Sequence, residues 1–118
     1  MIIQRSAMPV EYKEAMRGGS GTVKLTHLVD ESTQQHVRLL AELSLEPGAS
    51  IGLHRHDGET EYFWILAGTG VVNDEGTETE VKPGDVVITG HGASHSIKNA
   101  GTVPLVFQGI IITYGTSS

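Results

Sequence analysis

Cysteine is absent from the 118 residues. Disulfides, thiolate nucleophiles, iron–sulfur clusters and sulfur-ligated zinc are therefore excluded, and any metal must be held by nitrogen and oxygen. Positive charge is scarce as well: 8 basic residues face 14 acidic ones, a formal net charge of −6. The basic stripe expected of a nucleic-acid binder is missing. So are long apolar runs. The stickiest tract, "PLVFQGIII" at 104–112, is too short to span a bilayer and is broken by Gln108 and Gly109. The opening "MIIQRSAMPVEYKEAM" lacks the apolar core of a signal peptide. These absences predict a soluble, cytoplasmic protein without nucleic-acid or membrane partners. The length suits a single domain, residues 1–118, with a core of its own.

Helical periodicity is the next thing in short supply. Residues 9–16, "PVEYKEAM", can make one short N-terminal helix. From about residue 22 onward the pattern is of strands: "TVKLTHLV", "HVRLLAELSL", "SIGLHRH", "TEYFWILAG", "TGVVND", "TETEVKPGD", "VVITG", "SHSIKN" and "VPLVFQGIIITY". Pro47-Gly48, Asp57-Gly58, Asn73-Asp74-Glu75-Gly76, Pro83-Gly84 and Asn99-Ala100-Gly101 punctuate them as turns. Many short strands in one domain predict an all-β sandwich or barrel.

Four of the six histidines fall between residues 54 and 95. In "GLHRHDGETEYF", residues 52–63, His54 and His56 are separated by one residue, and Glu61 opens the next apolar run. Residues two apart on a strand share a face, with backbones roughly 6.6 Å apart. Two imidazoles leaning together from there can meet on one ion, at bonds of about 2.0–2.1 Å. Asp57-Gly58 lets the chain reverse, so Glu61 can return to the same point. A further ligand must come from elsewhere, and "HGASHSIKN" offers His91 and His95. His95 is the better placed, because Ile97 and Asn99 share its face, whereas His91 sits between two glycines in a turn. His91 is instead a candidate general base at a cavity mouth. The isolated His27 and His36 are expected to be surface or satisfied core residues, and Asn99 and Ser94 to cap turns.

These residues resemble a known family. Gly48 to Gly68 reads G-x5-H-x-H-x4-E-x6-G and is similar to the first motif of the cupins; Gly84 to Asn99 reads G-x5-G-x-G-x2-H-x3-N and is similar to the second. Gly90 stands where that family has proline, which bears on the order of the loop rather than on any ligand. More narrowly, "MRGGSG", "SIGLHRHDGETEYF" and "HSIKNAG" resemble short single-domain cupins of the oxalate-decarboxylase-like group. The resemblance implies a cupin double-stranded β-helix, a jelly-roll type antiparallel β-barrel, with a metal inside near one open end. It implies His54, His56, Glu61 and His95 as ligands of one divalent transition metal per chain, and it implies a homodimer, for which Trp64 and its alternating apolar neighbours offer surface.

Three imidazoles and one carboxylate suit Mn, Fe, Co, Ni, Cu or Zn. The same set can close a structural zinc site, whereas a solvent-facing cavity leaves positions open and favours Mn, Fe or Ni. Carboxylate chemistry also asks for a cation, and Arg38 is the candidate. In "VRLLAELSL", Arg38, Leu40, Glu42 and Ser44 share one face, and Val37, Leu39, Ala41, Leu43 and Leu45 the other. If the polar face looks inward, Arg38 can grip a ligand carboxylate with two parallel hydrogen bonds; if outward, it makes a surface pair with Glu42. "RGGSG" lacks the Gly-Lys-Ser/Thr of a phosphate loop and reads as a flexible turn. Tyr12, Tyr62, Phe63 and Trp64 are assigned to the core or a subunit interface. The function expected is that of a metalloenzyme acting on a small carboxylate or oxygenated metabolite by decarboxylation, dioxygenation or isomerisation. The alternative is a non-catalytic module that binds or senses a small acid or sugar.

Overall fold

The computed structural model describes residues 1–29 and 35–115. Ten strands carry it: β1 (Val10–Glu14), β2 (Thr22–His27), β3 (Val37–Leu45), β4 (Ser50–Arg55), β5 (Glu59–Ala67), β6 (Gly70–Asp74), β7 (Thr77–Val81), β8 (Val86–Gly90), β9 (Ser94–Lys98) and β10 (Leu105–Thr113). The described helical structure is limited to two 3-10 turns, Arg5–Ala7 and Met16–Gly18. One sheet runs β1-β2-β3-β10-β5-β8 and the other β4-β9-β6-β7. The paired strands are antiparallel throughout, and the two sheets form a jelly roll. No described helix is long and apolar enough to cross a membrane.

All nine strands expected from residue 22 onward are present, but the helix expected over 9–16 is not. Val10–Glu14 is instead an edge strand paired with β2, from Val10 opposite Thr26 to Glu14 opposite Thr22. All five residues are exposed, so a helix here would have no apolar stripe to bury. So short a segment cannot hold a helix by itself, whereas the free edge of β2 supplies a ready ladder of backbone partners.

Strand alternation builds the core between the sheets. Leu43 and Leu45 of β3, Ile51 of β4, Phe63 and Ile65 of β5, and Leu105 and Phe107 of β10 are all at most 2 % exposed. Each such side chain contributes about 1.5–3 kcal/mol through burial. Three irregularities depart from the alternation: one leaves Leu66 of β5 extra opposite Val106 and Phe107, and the other two bear on the interior near the histidines. In β4, Ile51 lies opposite Ile97 and His54 opposite His95, so β4 carries one residue more than β9 between these pairs. This bulge at Gly52-Leu53 changes the phase of the strand. Without it, strict alternation would put His54 and His56 on the face of Gly52 rather than on that of buried Ile51. In β3, Ile111 meets Leu39 and Ile112 meets Val37, which leaves Arg38 as the extra residue of a second bulge.

The segment expected to be a flexible turn is instead pinned across β4. The Ala15 amide donates to the Gly21 carbonyl at 2.9 Å, the Ser50 amide to the Ser20 carbonyl at 2.8 Å, and the Ser20 hydroxyl to the Gly48 carbonyl at 2.7 Å. Backbones touch at the crossing. A Cβ on Gly52 would lie 2.1 Å from the Arg17 carbonyl oxygen, and one on Gly19 would lie 2.2 Å from that of Ser50. Glycine is required at both positions for the chains to approach this closely.

Candidate metal centre

Three strands deliver four side chains to one point. β4 and the residue after it bring His54 and His56, β5 brings Glu61, and β9 brings His95. Their donor atoms all lie within 4.8 Å of one another. The Nε2 atom of His95 is 3.0 Å from that of His56 and 3.1 Å from that of His54. The Oε1 atom of Glu61 is 2.9 Å from the Nε2 of His56, 3.0 Å from that of His95 and 3.8 Å from that of His54. His56, Glu61 and His95 are buried, and Phe63 stacks on the His95 ring with centroids 4.7 Å apart.

The opposite ring nitrogens are each held from behind. His54 Nδ1 is 2.7 Å from the Gly52 carbonyl, the same residue that forms the bulge. His56 Nδ1 is 2.5 Å from a Glu59 carboxylate oxygen, and His95 Nδ1 is 2.7 Å from the Thr89 hydroxyl. A carbonyl and a carboxylate only accept, so His54 and His56 must each donate from Nδ1. A neutral imidazole then has a bare lone pair on Nε2, aimed at the shared centre. Second partners of this kind fix both tautomer and ring orientation in metal sites. Glu59 and Thr89 are not singled out by sequence spacing. The available signal was that Glu59 shares the inward phase of Glu61 on β5, and Thr89 the inward phase of Val87 on β8.

This arrangement is unfavourable without a cation. Glu61 Oε1 is buried, and while all three rings are neutral it has no hydrogen-bond donor despite three imidazole nitrogens within 3.8 Å, because the facing Nε2 atoms then carry lone pairs. A proton on one Nε2 would relieve part of the clash; a metal ion would relieve all of it. The donor set therefore fits a divalent ion. Burial, the largest single influence on Glu61, pushes its pKa up, but the hydrogen bonds that His54, His56 and His95 donate when protonated outweigh it and hold the carboxyl well below the usual range. For His56, burial acts downward, and hydrogen bonds to Glu61 and Glu59 more than reverse it, so its pKa is raised. For His95, burial prevails and its pKa is lowered.

The centre sits at the inner end of a cavity of about 440 Å³, lined by His54, His56 and Glu61 and by residues of β1 and the segment after it. Arg38 also lines the cavity. It does not pair with Glu42, which binds Arg5 at 2.6 Å. Its Nε and Nη2 grip the two Glu59 oxygens at 2.9 and 2.8 Å, so Arg38, Glu59 and His56 form one connected chain. Arg38, through its hydrogen bond first, keeps the Glu59 pKa below the ordinary carboxylate value. His91 is not among the cavity-lining residues; it has a φ of 56° and stacks on Tyr114 with centroids 4.8 Å apart. His27 also lines the cavity and meets Glu11 at 3.0 Å, while His36 is exposed. Asn99 ties a turn, donating to the Leu45 and Val103 carbonyls at 2.8 Å each and accepting from the Gly101 amide at 2.9 Å.

At position 90 glycine is the residue that fits. A Cβ there would lie 2.4 Å from the Thr60 hydroxyl, which is itself bonded to the Tyr114 hydroxyl at 2.6 Å. A proline would drive into Thr60. The loop is held instead by backbone bonds from the Gly92 amide to the His56 carbonyl at 2.8 Å and from the His56 amide to the Ala93 carbonyl at 3.0 Å.

Comparison with known proteins agrees with this architecture. Residues 41–113 match the family model described as "Cupin domain". The "Oxalate-binding protein" of Thermotoga maritima is 43% identical over 113 residues, which cover 95% of this chain and 93% of the relative. A crystal structure of a predicted oxalate decarboxylase from the same organism superposes with a TM-score of 0.90 at 42% identity, covering 96% of this chain and 99% of that one. The cupin domain of Schizosaccharomyces pombe Cnp3, at 20% identity, shares the fold alone: its TM-score is 0.71, over 88% of this chain and 69% of that one. The chain belongs to the cupin family.

Proposed function

We propose that this cupin holds one divalent transition metal through His54, His56, Glu61 and His95 and takes up a small carboxylate beside it. Oxalate is the first candidate, because the Thermotoga maritima relative is named for binding it. The observation that carries the reading is the convergence of three imidazole nitrogens on a buried carboxylate oxygen without a partner, at the end of a cavity open to solvent. Four of the donor separations, at 2.9–3.1 Å, also bear on the metal, while the one from His54 to Glu61 is 3.8 Å. Donors at right angles around bonds of about 2.1 Å lie about 3.0 Å apart, and tetrahedral donors about 3.4 Å apart. That spacing supports Mn, Fe or Ni with positions left open, ahead of a closed structural zinc site. When bound, such an ion supplies Lewis acidity toward a carboxylate.

The chain's own contribution is positioning and charge. Gly52, Glu59 and Thr89 orient the three rings, and Phe63 closes one side of the His95 ring to water. Arg38 places a guanidinium in the cavity wall, with the edge carrying Nε and Nη2 on Glu59, so we assign its influence on an anionic ligand to charge as well as to Glu59. The outer face of β5 and β8 leaves Trp64, Val86 and Ile88 at least half exposed, and we propose this face as the homodimer surface.

The test is elemental analysis and native mass spectrometry, followed by calorimetric titration of oxalate into the manganese-loaded chain with product analysis for turnover. About one metal per chain and oxalate binding that vanishes in a His56→Ala, His95→Ala double variant support the reading. Loss of oxalate during incubation would make the chain an enzyme, and binding without loss a binding module. Full metal content in the double variant would overturn the site.

A further inference from the structure

The four arginines of the chain are used very differently. Arg5 pairs with Glu42 at 2.6 Å, Arg38 with Glu59 at 2.8 Å, and Arg55 with Asp57 at 3.1 Å. Arg17 is the exception: among the described residues, no carboxylate lies against its guanidinium. Yet Arg17 lines the same cavity as His54, His56 and Glu61. Its backbone is in the left-handed region, with φ 54°, and so is that of Ala15, with φ 49°. Left-handed backbone is costly for any residue with a Cβ and persists where its surroundings impose it, commonly at ligand clamps. Here the imposing contacts are visible. The Arg17 carbonyl rests on Gly52, the residue whose own carbonyl holds the His54 ring, and the segment is bonded to β4 through Ser20 and Ser50. Between the two strained residues, Met16 packs against the core.

We propose that Arg17 is the residue that recognises the free end of an anionic ligand in the cavity, and that the strained backbone is retained because it aims this guanidinium over the metal centre. The other charges on this stretch of the cavity wall do not do the same work. Lys13 is coupled by charge to Glu11, two residues away on the same face of β1, and Glu11 also meets His27. A guanidinium matches a carboxylate through two parallel hydrogen bonds, so the preferred ligand carries a second carboxylate beyond the one nearest the metal. The inference rests on the carboxylate reading above and names what would discriminate among carboxylates.

Glycine is the informative substitution, because it adopts φ near 54° without strain. Arg17→Gly should raise the melting temperature and leave metal content at the wild-type level. It should also weaken oxalate and malonate by about tenfold or more, as expected for lost charge-assisted hydrogen bonds. Acetate, with one carboxylate, should change little. Arg17→Lys should bind dicarboxylates at an intermediate level. The measurements are calorimetric titration of the three acids into manganese-loaded wild type and variants, together with melting temperatures of the same samples. If wild type binds dicarboxylates and Arg17→Gly binds them equally well, this role is overturned while the carboxylate reading stands. If wild type binds none of the acids, both fail. A lowered melting temperature with unchanged affinities would make Arg17 structural and overturn the proposal.

Discussion

His56 donates its Nδ1 proton to Glu59 at 2.5 Å, and Glu59 is itself gripped by Arg38 at 2.8 and 2.9 Å. The chain of contacts runs from the cavity wall to a nitrogen aimed at the candidate metal centre. Loss of partners that orient metal-binding histidines typically costs about 10–100-fold in metal affinity. Glu59→Gln keeps an acceptor for His56 but removes the charge and half of the grip on Arg38. It should weaken metal binding by about tenfold, and Glu59→Ala by more, measured by competition against a chelator.

Arg38 can be tested on the same axis. If it acts through Glu59, Arg38→Leu lowers metal affinity, and Arg38→Lys lowers it less. If it grips the ligand directly, metal affinity stays constant while dicarboxylate binding falls by about tenfold or more, the expected loss of buried charge-assisted hydrogen bonds. Parallel metal and oxalate titrations separate the two. The contacts to Glu59 lead us to expect the metal effect to be present.

How far this site can be read in advance depends on how local each contact is. His54, His56 and Glu61 lie within one strand, one turn and the next strand, so period-two alternation and Asp57-Gly58 suffice to group them. His95 follows from its phase with Ile97 and Asn99. Alternation fails at the bulges of β3 and β4. Counting faces along β3 puts Arg38 with Glu42, whereas the slipped register against β10 sends Arg38 to Glu59 and leaves Glu42 to Arg5. The edge strand Val10–Glu14 is equally illegible, since it is fixed by pairing with β2 and not by its own residues. Thr89 reaches His95 only across two sheets, and no spacing along the chain encodes that.

Acid should unload the metal from above the ordinary imidazole range. His56 must present a bare Nε2 to an ion, yet in the metal-free site its pKa is raised above its usual 6.5. Protons therefore compete as pH falls through that raised value, while Glu61, with its pKa held low, stays anionic. The metal-free fold has the opposite slope. Stability from protonated His56 is fully present below about 6.5 and is lost as pH rises through the raised folded value. The melting-temperature gain on adding metal should consequently widen from about pH 6 to pH 8. A gain that is flat or shrinking over this range would contradict histidine ligation.

The proposed subunit surface makes its own demand. Trp64 is 50% exposed, Val86 52% and Ile88 62%, and Trp64 faces Val86 across paired strands. Replacing one by a charge puts an unpaired ion into any interface there, a change that typically costs several kcal/mol when buried. Trp64→Glu or Ile88→Lys should shift a dimer toward monomer in analytical ultracentrifugation, with metal content unchanged. An unaltered dimer in both variants would place the interface elsewhere.

The crossing of Gly52 and Arg17 should be the least tolerant place on the outer side of the smaller sheet. Gly52 has no need of a left-handed backbone; it is required because a Cβ would lie 2.1 Å from the Arg17 carbonyl oxygen and 2.9 Å from the Gly19 nitrogen. Both obstacles are backbone, so neither can swing aside as a side chain would. Gly52→Ala must push the 15–19 segment off β4 or distort the bulge, and overpacking of this kind costs about 1–3 kcal/mol or more. Gly18 is the control. It has φ +79° but open space around its missing Cβ, so Gly18→Ala suffers only the left-handed penalty of roughly 1–2 kcal/mol. The two variants should therefore differ in kind. Gly18→Ala should lose some stability and keep wild-type metal affinity. Gly52→Ala should lose more stability and also bind metal less tightly, because the Gly52 carbonyl that orients His54 moves with the bulge. Thermal melts of the metal-free chains and chelator competition would read both effects. Equal metal affinity in the two variants would show that the crossing supports the fold without setting the His54 ring.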